Sequence, residues 1–163
     1  MAVTSMIPGL FIERVKPDDW AGLSAVAAIE GETFPGDAQT APNLALIARA
    51  GDVWAACDEH GRLVGEAIIL GGVGEPRALL FSLAVVTARR RRGVGLALMN
   101  GVIDSLASRG VKILELTVAP ANEAALGLYI ARLGFERVEL MPDHFGPGRP
   151  RWLLRKSLTP EGT

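Results

Sequence analysis

Several things are scarce in this sequence, and each scarcity excludes something. One cysteine, Cys57, stands alone among 163 residues. An intramolecular disulfide is therefore excluded, and a cysteine-cluster zinc site cannot form. A reducing cytoplasm is the expected setting, and Cys57 reads as a small core residue. A basic surplus is missing as well: 17 Lys plus Arg stand against 18 Asp plus Glu, for a net charge of −1. The global electrostatic footprint of a nucleic-acid binder is absent, so any basic patch must be local. Long apolar runs are also lacking. The stretch "LAVV" falls far short of the ~20 residues that cross a bilayer, and "MAVTSMIPGLFIERV" lacks a basic segment ahead of a long apolar one. The expectation is a soluble, unprocessed chain without membrane or nucleic-acid partners. Internal repeats, low-complexity segments and long linkers do not occur, and the length suits a single domain over 1–163.

What is present is a series of short periodic segments punctuated by Gly and Pro. "LFIERV" reads as a first strand. Pro17, Asp18 and Asp19 open a helix that runs to about Glu30, since Pro and acidic residues suit a first turn. "FPGD" breaks it. "APNLALIARA" gives a second helix ended by Gly51, and "VWAACD" and "RLVGEAIIL" flank "EHG" as a hairpin. After the turn "GGVGEP", "ALLFSLAVV" reads as a buried strand. Val94, Ala97, Leu98, Val102 and Leu106 recur at helical spacing, predicting a helix over Val94–Ser108 closed by Gly110. "KILELTV" is a strand that alternates Ile113, Glu115 and Thr117 with Leu114, Leu116 and Val118. A last helix spans Asn122–Arg132 with Gly134 as its C-terminal cap. "FERVEL" and "RWLLRKSL" are two strands joined by the loop "MPDHFGPGRP". The order predicts an α/β fold: a mixed sheet of about seven strands with helices on both faces.

Four consecutive arginines and two glycines, "RRRRGVG", sit between a buried strand and a helix. Unpaired backbone N–H groups point outward at a helix start, and the helix dipole is positive there, so an anion can be held. Glycines at 93 and 95 remove the Cβ atoms that would keep a phosphate away from those amides. Arginine side chains add charge-assisted bonds. A solvated charged turn presents the same residues, so a second motif is needed to decide.

The second motif is "VAPANEAALGLYIARLGF", in which Val118, Asn122, Ala125, Leu128, Tyr129, Gly134 and Phe135 are spaced as V-x-x-x-N-x-x-A-x-x-L-Y-x-x-x-x-G-F. Preceded by "LAVVTARRRRGVG", it resembles the GNAT superfamily of acetyl-CoA-dependent N-acetyltransferases, and the element order is similar too. The likeness covers about residues 11–158. It implies that the pattern Arg/Gln-x-x-Gly-x-Gly/Ala, falling on Arg90, Arg91, Arg92, Gly93, Val94 and Gly95 and continued by Leu96, cradles the pyrophosphate of coenzyme A. Where many members have V-x-P, this chain has Val85-Val86-Thr87. Leu83, Ala84 and Val85 are expected to offer backbone groups to the pantetheine arm, which pairs like an added strand. Asn122 is either a cofactor ligand or a helix N-cap.

The likeness makes Tyr129, the chain's single tyrosine, the candidate general acid for the departing thiolate. Its alternative is a core tyrosine with a satisfied hydroxyl. Relatives that acetylate protein N-termini commonly carry Glu just before the motif Val, and here that position is Thr117. Glu115, two residues back on the same strand face, is the candidate base acting through a water that Thr117 helps position, or else a solvent-facing strand residue. Glu66, inside an apolar strand, and His144 are weaker candidates. "AIEGETFPGD" resembles the first-helix region of bacterial ribosomal-protein N-terminal-alanine acetyltransferases, which points Glu30 and Phe34 toward the acceptor. His144 and Phe145 occupy the late loop where many relatives carry two tyrosines, and Arg149 and Arg151 there suggest tolerance of an acidic group.

The sequence thus predicts transfer of an acetyl group from acetyl-CoA to a primary amine, a peptide or protein N-terminus first among acceptors, without a metal, by a monomer or homodimer. A small-molecule amine (amino acid, polyamine or drug) is the alternative acceptor, and a non-catalytic acyl-CoA sensor the alternative role.

Overall fold

The structure, a computed structural model, describes residues 3–159. The expected domain, 1–163, includes residues 1–2 and 160–163, which lie outside the described residues. Eight strands form one sheet: β1 (Val3–Thr4), β2 (Phe11–Arg14), β3 (Asp52–Cys57), β4 (Leu63–Gly71), β5 (Arg77–Val85), β6 (Ile113–Val118), β7 (Glu136–Met141) and β8 (Arg151–Ser157). Their spatial order is β1-β2-β3-β4-β5-β6-β8-β7. Only β5 and β6 run parallel; every other pair is antiparallel. Seven strands fall on the expected segments, and the two-residue β1 is an addition too short to carry a period.

Helices α1 (Trp20–Thr33) and α2 (Ala41–Ala50) cover one face, and α3 (Val94–Ser108) and α4 (Glu123–Leu126) lie on the other side. The Asp19 side chain caps α1 by accepting from Gly22 N at 3.0 Å, and Thr40 caps α2. Capping of this kind satisfies N–H groups that the helix itself cannot. On the α1/α2 face, Leu23, Val26 and Leu44 pack with Val53, Ala55 and Ile68. On the α3 face, Leu98, Met99 and Val102 pack with Trp54, Ala56, Ala67 and Ile69. The period-two alternation of β3 and β4 sends neighbouring residues to opposite cores, which explains strands that are apolar almost throughout.

Gly51 ends α2 as expected, and it does so without a left-handed cap. Its φ is −134°. A Cβ there would collide with the Ile69 carbonyl oxygen of β4. Close approach of two backbones, not a positive φ, requires the glycine. The expected last helix is likewise altered: α4 gives way to a wide π-helical turn over Gly127–Arg132. Among the described residues no helix is long and apolar enough to cross a membrane.

One irregularity positions the site. The β5–β6 ladder begins at Arg77↔Ile113 and stops at Leu80↔Leu116. At that point β5 carries a bulge, because Leu80 pairs with Ile69 and Ser82 with Ile68, leaving Phe81 without a partner on β4. A bulge re-aims and bends its strand. Beyond it, β5 runs on with β4 while β6 runs on with β8 as far as Val118↔Trp152. The two central strands thereby part company inside the sheet.

Candidate active site

A cleft of about 650 Å³ opens beside the parted strands. Its walls are Leu83 and Val85 of β5, the turn Arg89–Arg91, Gly93–Leu96 at the start of α3, and Ala124, Ala125, Leu128, Tyr129 and Arg132. The local conformation follows from the sequence. Gly93 is the N-cap of α3 at φ +80°, a left-handed conformation, and gives α3 no side-chain cap. Ala97 N donates to Gly93 O at 2.9 Å and opens the helical ladder. The three N–H groups ahead of it, at Val94, Gly95 and Leu96, have no helical acceptor and lie along the cleft. Arg91, at φ +59°, is the one non-glycine residue with positive φ among the described residues. Two left-handed residues in one turn curl the backbone N–H groups into a concavity suited to an anion. A side chain at Gly93 would be strained by its φ whatever the space available.

The arginines divide their work. Arg89 Nη2 lies 3.3 Å from the buried carboxylate of Asp58, which Arg62 also engages, so Arg89 anchors the turn while lining the cleft. Arg90 Nε donates to Val85 O at 2.9 Å. Arg91 lines the cleft, and Arg92 does not. Ala84 is also absent from the wall: it is buried, and its partner across β4 is Glu66, whose side chain belongs to the α1 face. Ladder partners share a face, so Ala84 points away from the cleft.

Tyr129 sits in the π-helical turn, buried at 8 % exposure, its ring edge-on to Phe135 with centroids 5.7 Å apart. Wide turns of this type concentrate at functional sites because they re-aim a side chain without ending the helix. Burial pushes the Tyr129 hydroxyl well above its ordinary range, with the Arg151 charge opposing. Tyr129 therefore keeps its proton through neutral pH. It also lines a second, smaller cavity of about 150 Å³, together with Leu83 and Ala125, so the two cavities meet at this side chain.

The smaller cavity gathers residues from five segments: Phe34 after α1, Phe81 and Ser82 of β5, Thr117 of β6, Asn122 before α4, and Arg151 of β8. Asn122 is an N-cap, its Oδ1 accepting from Ala125 N at 3.1 Å. Thr117 Oγ1 accepts from Arg151 Nε at 3.3 Å, and Thr117 O from Arg151 Nη2 at 2.8 Å. Behind Ser82 lies a buried acidic pair. Its hydroxyl contacts Glu30 Oε1 and, at 3.0 Å, Glu66 Oε1. Glu30 and Glu66 are 1 % and 0 % exposed. A single hydroxyl proton cannot be donated to two acceptors, so one carboxyl must carry a proton of its own. Burial, then the neighbouring Glu30 charge, raise Glu66 well above the carboxylate range and identify it as the protonated member. Its Oε2 has no partner among the described residues, and Glu30 Oε2 accepts from Gln39 N at 3.0 Å.

Glu115 is placed elsewhere. It lines neither cavity, and its Oε1 is held by Arg155 Nη2 at 2.7 Å and Arg77 Nη1 at 3.5 Å. The parallel part of the sheet, where β5 and β6 are still paired through Leu79↔Glu115, separates it from the parted strands. Glu30 lies under the smaller cavity instead of in its wall. His144 and Phe145 line neither cavity; their rings pack together at 5.1 Å, and the Arg151 guanidinium stands 4.6 Å from the Phe145 centroid. No cluster of three metal-ligating side chains occurs among the described residues.

Residues 23–135 match the acetyltransferase (GNAT) family. The chain belongs to that family. Among curated relatives, ribosomal protein bS18-alanine N-acetyltransferase of Escherichia coli is 36% identical over 87 residues, 53% of this chain and 57% of the relative. The Salmonella typhimurium enzyme of the same name is 40% identical over 68 residues, 42% of this chain and 45% of the relative. The chain thus spans about half the length of the curated relatives it matches. Among solved structures, the Escherichia coli ribosomal-protein alanine N-acetyltransferase has a TM-score of 0.78 at 25% identity, covering 94% of this chain and 96% of that one. An aminoglycoside 6'-N-acetyltransferase complexed with coenzyme A has a TM-score of 0.79 at 18% identity, covering 93% and 99%, and shares the fold. The α/β GNAT fold expected from the sequence is the fold observed.

Within this GNAT domain, sequence reasoning missed Arg89, Ala124 and Arg132 in the cleft and Ser82 in the smaller cavity, and it had Ala125 and Leu128 only as motif positions and Arg151 only as a loop arginine suited to an acidic group. Helical spacing was the available signal for the second wall: Ala125, Leu128 and Arg132 recur at three- and four-residue steps on one helix face. Ser82 carried no signal, because only the bulge at Phe81 decides which way it points.

Proposed function

We propose that this chain is an N-acetyltransferase that moves an acetyl group from acetyl-CoA to a primary amine, a peptide or protein N-terminus first among acceptors. One observation carries the reading: an uncapped helix start with two left-handed residues opens into a cleft that meets a second cavity at Tyr129. The residues present fit acetyl-CoA, since glycine at 93 leaves room for a phosphate against bare N–H groups. Bound there, acetyl-CoA would supply the activated acetyl group as a thioester.

The chain's own residues then have distinct tasks. The N–H groups of Val94, Gly95 and Leu96, with Arg90 and Arg91, hold the pyrophosphate by charge-assisted bonds. The edge of β5 at Leu83 and Val85, past the point where β6 leaves it, pairs with an extended arm. Tyr129, kept protonated by burial, donates to the departing thiolate sulfur. An acceptor ammonium must lose a proton before it attacks, and Ser82, in the cavity wall, leads that proton to the Glu30 carboxylate. This pair suits the task better than Glu115, whose carboxylate is neutralised by two arginines away from both cavities. A second amine proton leaves as the amide forms and restores Tyr129, so one thiol and one proton are released per amide.

The late loop supports a small-amine acceptor as the second reading, because His144 and Phe145 stand where a peptide-holding pair of tyrosines is expected. A single domain in a reducing cytoplasm, as monomer or homodimer, is the setting proposed, on the lone cysteine and one continuous sheet. A thiol-release assay with acetyl-CoA across N-terminal peptides and small amines tests the reading. Amine-dependent release is expected, and acetyl-CoA binding without release to any amine would instead favour an acyl-CoA sensor.

A further inference from the structure

Among the described residues, Arg151 is the sole charged one in the wall of the smaller cavity. Other partly exposed arginines are neutralised: Arg109 by Asp52, Arg155 by Glu115, Arg89 by Asp58. Arg151 has no carboxylate within ion-pair distance among the described residues, and burial together with the neighbouring charge of Arg149 works against its own charge. Its position is nonetheless fixed. Nε and Nη2 donate to the Thr117 side chain and carbonyl, and the guanidinium faces the Phe145 ring at 4.6 Å. Those bonds leave Nη1, and the second hydrogen of Nη2, as an unused fork. A guanidinium held flat with a free pair of donors is matched to a carboxylate.

The same charge discriminates against simple cations. An ammonium entering a cavity of about 150 Å³ with an unneutralised guanidinium in its wall meets like-charge repulsion unless the acceptor brings its own anion. We propose that the acceptor is a primary amine carrying a carboxylate within one residue's reach, with Arg151 binding that carboxylate while the amine lies at Ser82 and Tyr129. The chemistry is shared by a free amino acid and by a peptide with Asp or Glu at its first or second position. The inference rests on the acetyltransferase reading and deepens it. Polyamines and other multiply cationic amines are poor acceptors.

The test compares kcat/KM for matched pairs on the wild-type protein: an amino acid and its amide, Glu-led and Gln-led peptides, with spermidine as the cationic arm. Carboxylate acceptors are expected to win by ~10- to 100-fold, chiefly through KM, as for loss of one charged hydrogen-bond partner. The preference should shrink as salt rises. R151Q should abolish it, R151K should keep part of it, and both should bind acetyl-CoA as wild type does by calorimetry. Which pair shows the preference identifies the source of the carboxylate. Equal use of amides and carboxylates, or preference for spermidine, overturns the inference while leaving the acetyltransferase reading intact. Acetyl-CoA binding with no acetylated amine overturns both. The wild-type comparison decides the matter even if the Arg151 variants fail to fold.

Discussion

The two cavities that meet at Tyr129 are built by different rules. The larger cleft is mostly one continuous stretch, from Leu83 to Leu96, closed by one helical face. Its chemistry needs bare N–H groups and small residues, and the sequence displays those as Gly93 and Gly95 behind a run of arginines. The smaller cavity is made of side chains delivered by five segments, from Phe34 to Arg151. Its character depends on which way each strand faces. On the proposed reading the first selects a phosphate-bearing group with little regard to side-chain identity, while the second selects its acceptor by side-chain charge and shape.

Four substitutions break or sharpen that contrast. The largest effect is expected for Gly93→Val. A Cβ at φ +80° costs about 1–2 kcal/mol in backbone strain and obstructs the approach of a phosphate to the α3 start. Calorimetry should show acetyl-CoA affinity reduced by more than ~100-fold in a folded protein; unchanged affinity would place the cofactor elsewhere. Next comes Tyr129→Phe, which removes the hydroxyl where the cavities meet. kcat should fall by roughly 10²-fold, with acetyl-CoA affinity little changed. Turnover like wild type would end the acid assignment.

Glu115→Gln separates structure from chemistry. Its carboxylate ties β6 to Arg155 of β8 and Arg77 of β5, and those arginines are 41% and 42% exposed. Solvent screening of the partners limits the loss to about 1 kcal/mol in a urea titration. The pH–rate profile should overlay that of wild type. A rate loss concentrated at low pH, where the amine is protonated, would return Glu115 to the base role expected from sequence.

Glu66→Gln gives the smallest and most condition-dependent effect. The folded protein holds a proton on Glu66 that the unfolded chain gives up near 4.5, the ordinary value of a glutamate side chain. Between that value and the raised folded value the native state binds more protons, so stability falls as pH rises through the window. Gln carries no such proton. The variant's stability relative to wild type should therefore improve from pH 5 to pH 8 in parallel urea titrations. A constant difference at both pH values would mean that Glu66 is ionised in the native state.

The same contrast explains what the sequence discloses. The bounds of α3 follow from Gly93 and Gly110, both left-handed, and the cleft follows from α3. Tyr129 is legible as a position, yet its π-helical turn is not, because the spacing of Ala125, Leu128 and Tyr129 suits an ordinary helix equally well. The buried carboxyl pair is legible only in part. A glutamate inside "RLVGEAIIL" announces something unusual, but its meeting with Glu30 through Ser82 depends on the bulge at Phe81 and on the diagonal register of β4 and β5. Arg151 reads from sequence as one of two loop arginines. Pairing of β6 with β8, Val118↔Trp152, is what carries it to the cavity wall. Local backbone chemistry is written in consecutive residues, whereas a specificity pocket is written in strand register.

Amide chemical shifts followed during titration with acetyl-CoA test the central claim most directly, because the N–H groups of the α3 start are themselves the proposed ligands. The account predicts the largest perturbations at Gly93, Val94, Gly95 and Leu96, with smaller ones at Leu83 and Val85. Saturable binding that leaves those amides unmoved while shifting others, or no binding at all, would contradict it.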